Sequence, residues 1–209
     1  MQRAQTKVTR TLMMAAVVLL GTGGPAVAQS AAEDPGGGSQ LFEADGGERI
    51  WVFAESPEKL GSGGEFHIYV DPETHPEARA SFARFSLGPG GALPVHRHDK
   101  TEEISYFVSG TGVVITVEDG ETAEVPVREG NVWYVPPGAW HAIRNTGEEP
   151  LTLVFATIPN EEDGLLSFFR RIGARPGSPA ESIPPEEFAA LAAEHDLILR
   201  PSPSTGEEH

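Results

Sequence analysis

Short hydrophobic runs separated by Gly, Pro and Asp fill the chain from about residue 49 to residue 158. Several of them alternate apolar and polar positions, which is typical of a strand with one buried face. Asp119-Gly120 stands between two such runs and predicts a tight hairpin turn. The pattern predicts ten strands, at Ile50–Ala54, Glu65–Val70, Ala80–Leu87, Val95–His98, Glu103–Val108, Gly112–Val117, Ala123–Val127, Val132–Val135, Trp140–Arg144 and Leu151–Thr157. So many short strands in roughly 110 residues indicate an all-β protein, an antiparallel sandwich or barrel.

Helical spacing replaces this alternation after residue 158. Asn160-Glu161-Glu162-Asp163 predicts an N-cap followed by an acidic first turn, and Pro184-Pro185 suits the start of a second helix. We therefore expect two short C-terminal helices that pack on the outside of the barrel or over one of its ends. Their apolar positions are Leu165, Phe168, Phe169 and Ile172 in the first helix, and Phe188, Leu191 and Ala192 in the second.

The first 28 residues have the layout of a secretory signal peptide. Basic residues come first, an apolar run from Leu12 to Leu20 follows, and Ala26-Val27-Ala28 provides a cleavage site. A membrane anchor is the alternative, but the run is about half the roughly 20 residues that a spanning helix needs. We expect cleavage near Ala28 and a secreted protein, periplasmic or extracellular.

The rest of the chain divides by composition and period. Residues 29–48 are rich in Gly, Ala, Ser and acidic residues without periodicity, which predicts a flexible leader. The β-barrel is expected at residues 49–158, the helical extension at 159–200 and a disordered tail at 201–209. No internal repeat is visible, so the chain carries one barrel unit.

Charge and cysteine content narrow the partners and the chemistry. The formal net charge is −16, and so acidic a surface repels nucleic acid and anionic membranes. We therefore expect no nucleic-acid partner and no membrane association of the mature form. The chain has no cysteine, which excludes disulfides, thiolate metal ligands and cysteine nucleophiles.

Two histidines one residue apart are the first candidates for a functional site. On a strand, His96 and His98 would point to the same face, so both can face the barrel interior. Glu103 lies just beyond a short polar turn, where the next strand begins. A carboxylate at that position can complete a cluster with the two imidazoles.

His141 is the third candidate imidazole. It follows a turn that Pro136, Pro137 and Gly138 fix between two predicted strands. Three neutral imidazoles and one carboxylate suit one divalent transition metal, namely Mn, Fe, Co, Ni, Cu or Zn, whereas Ca and Mg prefer oxygen ligands. An ion that accepts about six ligands would keep about two positions open for water, substrate or dioxygen.

Two spaced motifs make the chain resemble the cupins. The first cupin motif, G-x5-H-x-H-x4-E-x6-G, is matched from Gly90 to Gly110, and the second, G-x5-P-x-G-x2-H-x3-N, from Gly130 to Asn145. Every motif position is filled, which is far more specific than one short motif. On these residues the chain is identified as a member of the single-domain cupins, with the resemblance extending over about residues 49–158.

The resemblance implies a jelly-roll-like barrel that binds one metal ion inside, through His96, His98, Glu103 and His141. Glu102 is the rival carboxylate, but only Glu103 has the motif's spacing to Gly110. We therefore expect Glu102 to face solvent. Cupins commonly dimerise through sheet edges, so the resemblance also implies a homodimer.

The ligand strands also predict the pocket wall. If Glu103 faces inward, the period of two turns Ser105 and Phe107 inward as well, and places Ile143 beside His141. According to the register, further apolar wall comes from Phe82 or Phe85, from Phe155, and from Trp133 or Tyr134. Arg84 and Arg144 are expected outside. Such a lining suits an aromatic or enolisable small molecule better than a sugar phosphate or oxalate, which require basic and amide groups.

Among single-barrel cupins, the short barrel and the C-terminal helices resemble the quercetin-dioxygenase-like group. That resemblance implies a metal-dependent dioxygenase for a flavonol-like or other enolisable aromatic substrate, with Glu103 as metal ligand and catalytic proton acceptor.

Two other classes stay open. One is a non-catalytic secreted binding or stress protein with a structural metal, which a pocket closed by the C-terminal helices would favour. The other is a germin-like manganese oxalate oxidase or superoxide-handling protein. Against this second class, the chain lacks the cysteine pair of germins.

Overall fold

A computed structural model describes residues 38–201, which contain eleven strands and two helices. All of these elements belong to one compact unit that begins at Leu41. The strands are β1 (Glu48–Val52), β2 (Gly64–Val70), β3 (Ser81–Leu87), β4 (His96–Arg97), β5 (Glu102–Ser109), β6 (Thr111–Glu118), β7 (Glu121–Arg128), β8 (Val132–Val135), β9 (Trp140–Asn145), β10 (Leu151–Ile158) and β11 (Ile198–Leu199). The helices are α1 (Leu165–Ile172) and α2 (Pro185–Glu194).

Two antiparallel sheets make up the barrel. One has the strand order β1-β2-β3-β10-β5-β8, and the other has the order β11-β4-β9-β6-β7. The Asp119-Gly120 turn joins β6 to β7 with φ angles of 51° and 85°, the left-handed pair that a two-residue hairpin requires. The predicted all-β barrel is therefore confirmed, and each of the ten predicted strands is present.

The alternation along β5 shows how the sequence divides interior from exterior. Glu103, Ser105 and Phe107 are buried, whereas the intervening Ile104 and Tyr106 are 42% and 46% exposed. Because successive strand residues point to opposite faces, one pattern places a carboxylate, a hydroxyl and a ring on the inner wall.

Stacked aromatic rings join the barrel core to α1. Phe66 stacks on Phe85 from the neighbouring strand, with ring centroids 4.4 Å apart, and on Phe169 of α1, at 4.3 Å. All three side chains are buried. Burying a Phe contributes roughly 1.5–3 kcal/mol each, so this stack fixes α1 over the interior of the barrel.

The start of α1 differs from the prediction. Gly164 is its N-cap residue, and the first turn carries no acidic residue. Asn160 is used elsewhere, because its amide donates to the carbonyls of His75 and Ala78 and its oxygen accepts from the Ser81 hydroxyl. The predicted N-cap at Asn160-Glu161-Glu162-Asp163 is therefore wrong, since tertiary hydrogen bonds occupy the Asn side chain.

An ion-pair network holds the other face of α1. Arg170 lies 2.5 Å from the Asp71 carboxylate and 2.6 Å from that of Glu48, and it also pairs with the exposed Glu73. Asp71 is fully buried. The helix is thus fixed to β1 and to the end of β2 by charge as well as by packing.

Part of the predicted leader lies against the six-stranded sheet. Arg84 donates to the carbonyl of Ala44, His67 Nδ1 donates to that of Gly46, and the Phe42 ring lies 5.4 Å from Tyr69. The predicted signal peptide at residues 1–28, the leader up to residue 37 and the tail from residue 202 lie outside the described residues. Between residues 38 and 201, no helix is long and apolar enough to cross a membrane.

Candidate metal centre

Two neighbouring strands of the five-stranded sheet bring His96 and His141 together. His96 on β4 is the register partner of His141 on β9, and their ring centroids are 4.2 Å apart. The turn through Pro136 and Gly138 therefore delivers the third imidazole to the strand that carries the first.

His98 completes the cluster from just beyond the end of β4, which is shorter than the predicted Val95–His98 strand. Its ring centroid lies 5.1 Å from His96 and 5.3 Å from His141. One nitrogen from each of the three rings lies within 4.8 Å of the others, and all three side chains are buried. Gly138 also contributes, because its N–H donates to the His98 carbonyl at 2.6 Å.

Main-chain carbonyls orient all three rings in the same way. Nδ1 of His96 donates to Pro94 at 2.7 Å, and Nδ1 of His141 donates to Ala139 at 2.9 Å. His98 Nδ1 donates to the carbonyl of Asp196 at 2.7 Å. A carbonyl only accepts, so in the neutral ring Nδ1 carries the proton and Nε2 keeps its lone pair.

The Nε2 atoms of His98 and His141 fit a metal ion. Both atoms are buried, and neither has a hydrogen-bond partner among the described residues. Buried polar atoms rarely lack a partner, and a metal-bound histidine typically donates its other ring nitrogen to a carbonyl, as here. The unpartnered nitrogens of His98 and His141, beside the His96 ring, are therefore suited to share one cation.

Burial also sets the charge of the cluster. It lowers the pKa of all three imidazoles. For His96, repulsion from the other two rings adds to burial and brings its pKa well below the ordinary value. The rings are neutral near pH 7, the form in which imidazole binds metal.

Glu103 faces the same interior from β5 of the other sheet. Its carboxylate accepts the Ser105 hydroxyl at 2.8 Å. Burial raises the pKa of Glu103 by more than the charge of His98 and this hydrogen bond lower it. Glu103 does not belong to the group of ligand atoms within 4.8 Å of one another, which among residues 38–201 contains the three histidines alone.

Glu102 is turned the other way. Its carboxylate accepts the Tyr134 hydroxyl at 2.9 Å in an exposed contact. The prediction that the rival carboxylate faces solvent is in accord with this contact.

A small cavity lies beside the cluster. Its volume is ≈ 30 Å³, and its polar lining comes from His96, Glu103, Ser105 and His141. Aromatic rings supply much of the remaining wall, namely Phe66, Phe85, Trp133, Phe155 and Phe169. The register thus places Phe85 and Trp133 inside, while Phe82 and Tyr134 are 40% and 54% exposed.

No arginine or lysine lines this cavity within the described part of the chain. Arg84 and Arg144 make exposed contacts on the exterior, with the Ala44 carbonyl and the Glu124 carboxylate. The predicted apolar lining and exterior arginines therefore match the structure.

Helix α1 forms part of the cavity wall. Leu165 and Phe169 contribute to its wall, and both are buried. The C-terminal extension therefore packs against the site itself, and two of its side chains help to set the space available to a ligand.

Asp196 is a site residue that the sequence does not reveal. It lies 98 positions after His98, whose ring donates to its carbonyl, and it belongs to neither motif. Its side chain also accepts hydrogen bonds from the turn at residues 99–101. Only the packing of β11 against β4 brings it there, so no local pattern could have identified it.

Comparisons with known proteins agree with the barrel and its motifs. The family model of the cupin domain matches residues 83–157. The oxalate-binding protein of Thermotoga maritima is 33% identical over 110 residues, covering 49% of this chain and 87% of that protein. Germin-like protein 5-1 of Oryza sativa subsp. japonica is 33% identical over 90 residues, covering 42% of this chain but only 39% of that protein.

Among solved structures, the crystal structure of a predicted oxalate decarboxylase from Thermotoga maritima is 25% identical. The match covers 57% of this chain and 99% of that chain, with a TM-score of 0.47.

Proposed function

The chain belongs to the cupin family, and from that premise we propose that it binds one divalent transition metal and a small organic acid of about the size of oxalate. The proposed metal ligands are His96, His98, His141 and Glu103. One observation carries the proposal: three imidazoles with fixed tautomers converge beside a buried carboxyl and a small cavity.

The donor set supports a transition metal. Imidazole suits Mn, Fe, Co, Ni, Cu and Zn, whereas an oxygen-rich shell would be needed for Ca or Mg. A bound divalent ion would supply Lewis acidity. It would also supply the positive charge that the described residues of the cavity wall lack and that an anionic ligand needs as a partner. Glu103 would have to approach the three nitrogens to join them as a ligand.

The size of the cavity supports a small ligand. A cavity needs a volume of about 10–15 Å³ to hold one water molecule. A cavity of ≈ 30 Å³ therefore has room for about two waters. A small acid that replaces these waters and a metal-bound water requires little rearrangement. A three-ring flavonol is much larger than ≈ 30 Å³ and would require the cavity wall to rearrange.

Glu103 is the residue that we assign to proton transfer. Its carboxyl group is buried in the cavity wall, where it can accept a proton from a ligand that binds beside it. The Ser105 hydroxyl fixes one carboxylate oxygen, so the other oxygen is available to the metal or to a ligand proton.

The relatives support the same ligand class. The match to the oxalate-binding protein of Thermotoga maritima extends over 87% of that protein, at 33% identity. An oxalate decarboxylase of Bacillus subtilis is 28% identical over 93 residues, although the match covers only 24% of it.

A dioxygenase acting on a flavonol-like or enolisable aromatic substrate is the second candidate. The aromatic rings of Phe66, Phe85, Phe155 and Trp133 in the wall favour it. The packing of Leu165 and Phe169 of α1 into the cavity wall favours instead a protein that binds a small ligand without turnover.

Titration calorimetry of the metal-loaded protein with oxalate, malonate, succinate and quercetin separates these functions. We expect oxalate to bind and longer diacids to bind more weakly. Protein from which a chelator has removed the metal should bind none of these acids. Glu103→Gln should weaken binding, and Glu102→Gln, its outward neighbour, should not. Quercetin binding with oxygen uptake would favour the dioxygenase, and a loaded protein that binds no acid would contradict the proposal.

A further inference from the structure

Asp196 occupies the short connection between α2 and β11. Its φ is 57°, in the left-handed region that Asn, Asp and Gly adopt most readily. The residue is 7% exposed. A buried aspartate in this backbone conformation needs partners for its carboxylate, and the turn after His98 provides them.

The Asp196 carboxylate binds three consecutive residues of that turn. It accepts the N–H of Asp99 at 2.9 Å, the N–H of Lys100 at 3.1 Å and the hydroxyl of Thr101 at 2.9 Å. Hydrogen bonds to an ionised acceptor are stronger than neutral ones. These bonds determine the path of the chain between His98 and Glu103.

The main chain of the same residue orients His98. The Asp196 carbonyl accepts Nδ1–H of His98 at 2.7 Å, which leaves Nε2 directed away from it. One residue therefore fixes both the tautomer of a proposed metal ligand and the turn that leads to the proposed carboxylate ligand.

Strand β11 extends this contact along β4. Ile198 and Leu199 are the register partners of Arg97 and His96, and the N–H of Arg200 donates to the Val95 carbonyl at 2.9 Å. The segment from Asp196 to Arg200 therefore lies along β4 and the residues on either side of it, which include the first two histidines.

We propose that Asp196 is a positioning residue for the metal centre, and that docking of the segment Asp196–Arg200 is thermodynamically coupled to metal binding. The inference rests on the proposed metal site. Coupling of two binding events is reciprocal. Whatever the docked segment contributes to metal affinity, the metal must therefore contribute to docking of the segment.

Two substitutions isolate the carboxylate. Asp196→Gly keeps the left-handed backbone accessible and removes the side chain. Asp196→Asn keeps one acceptor oxygen and also tolerates this conformation. Asp119→Gly is the matched control, because Asp119 has a φ of 51° and is exposed in the β6–β7 turn.

Cobalt(II) is the probe, and its affinity is measured in the full chain by competition with a chelator. Loss of groups that orient a metal ligand typically weakens binding about 10–100-fold, and we expect this for Asp196→Gly. The cobalt affinity of Asp196→Asn should lie between those of Asp196→Gly and the wild type, and the affinity of Asp119→Gly should equal that of the wild type. The visible spectrum of the bound cobalt should change in Asp196→Gly, which a mere loss of fold stability would not cause.

Hydrogen exchange in the wild type tests the reciprocal effect without a variant. Cobalt should slow exchange of the Asp99, Lys100 and Arg200 amides, which are the donors in these contacts. Unchanged exchange, or an Asp196→Gly variant with wild-type affinity and spectrum, would overturn the role of Asp196 while leaving the metal site intact. A wild type that binds no cobalt would overturn both proposals.

Discussion

The barrel strands and the C-terminal segment contribute to the histidine cluster in different ways. His96 and His141 are oriented by carbonyls two residues before them, at Pro94 and Ala139. His98 is oriented by a carbonyl 98 residues away, at Asp196. The strands therefore bring the three histidines together, and a segment outside both motifs orients His98.

The cavity shows the same division. Its polar groups come from barrel strands, whereas part of its apolar wall comes from Leu165 and Phe169 of α1. The motif region thus provides the functional groups of the site, and the C-terminal extension helps to determine the size of the cavity beside them. Substitutions in the extension should change the size of the molecule that the cavity can bind and the geometry of the metal centre. They should not remove any of the residues proposed to bind the metal.

Phe169→Ala should have the largest effect of these substitutions. It removes a buried ring that stacks on Phe66 and lines the cavity, so we expect a loss of about 3–5 kcal/mol in the free energy of unfolding. The enlarged cavity should also admit longer diacids. Denaturant unfolding and calorimetry check both. Phe82→Ala is the control, since Phe82 is 40% exposed, and equal losses in the two variants would contradict the role assigned to α1.

Asp71→Asn should have an intermediate effect through the anchoring of α1. Loss of charged hydrogen bonds from Arg170 should lower the free energy of unfolding by about 1.5–3 kcal/mol at neutral pH. Glu73→Gln is the control, because Glu73 pairs with the same arginine but is exposed. Denaturant unfolding at a series of pH values measures both variants.

The pH dependence of the Asp71 effect has a definite sign. Burial raises the pKa of Asp71, but hydrogen bonds from Arg170 and Thr74 lower it by more, so it lies below its ordinary value. Its contribution to stability is therefore complete above about pH 3.9 and is lost as the pH falls through the lower folded pKa. The difference between wild type and Asp71→Asn should shrink in acid, and a constant difference would contradict this assignment.

Arg200→Pro should have the smallest effect and sharpens the role of β11. Proline lacks the N–H that donates to Val95, whereas Arg200→Ala keeps it. One lost hydrogen bond contributes roughly 0.5–1.5 kcal/mol, so cobalt affinity should fall about twofold to thirteenfold in the proline variant only. If both variants bind cobalt as the wild type does, pairing of β11 with β4 does not support the site.

The sequence predicted those parts of the molecule that depend on local pattern. Alternation located the strands, because side-chain direction in a strand follows from position alone. Motif spacing identified His96, His98 and His141 as the members of one cluster. The choice between Phe82 and Phe85 depended on register, which pairing with β2 and β10 decides.

What the sequence did not reveal depends on contacts between distant segments. Asn160 fits the pattern of an N-cap, but its side chain is taken up by Ser81, His75 and Ala78. Asp196 and β11 carry no motif, and their place beside β4 results from packing of the last 40 or so residues of the described chain. The proposed role of Glu103 as a fourth ligand also stays a prediction.

Elemental analysis of the protein purified without added metal or chelator tests the central claim most directly. It should be run beside a His96→Ala/His141→Ala double variant and a His75→Ala control, since His75 lies outside the cluster. We expect about one equivalent of Mn, Fe, Co, Ni, Cu or Zn in the wild type and the control, and none in the double variant. No metal in the wild type even after reconstitution, or equal metal in the double variant, would contradict the proposed site.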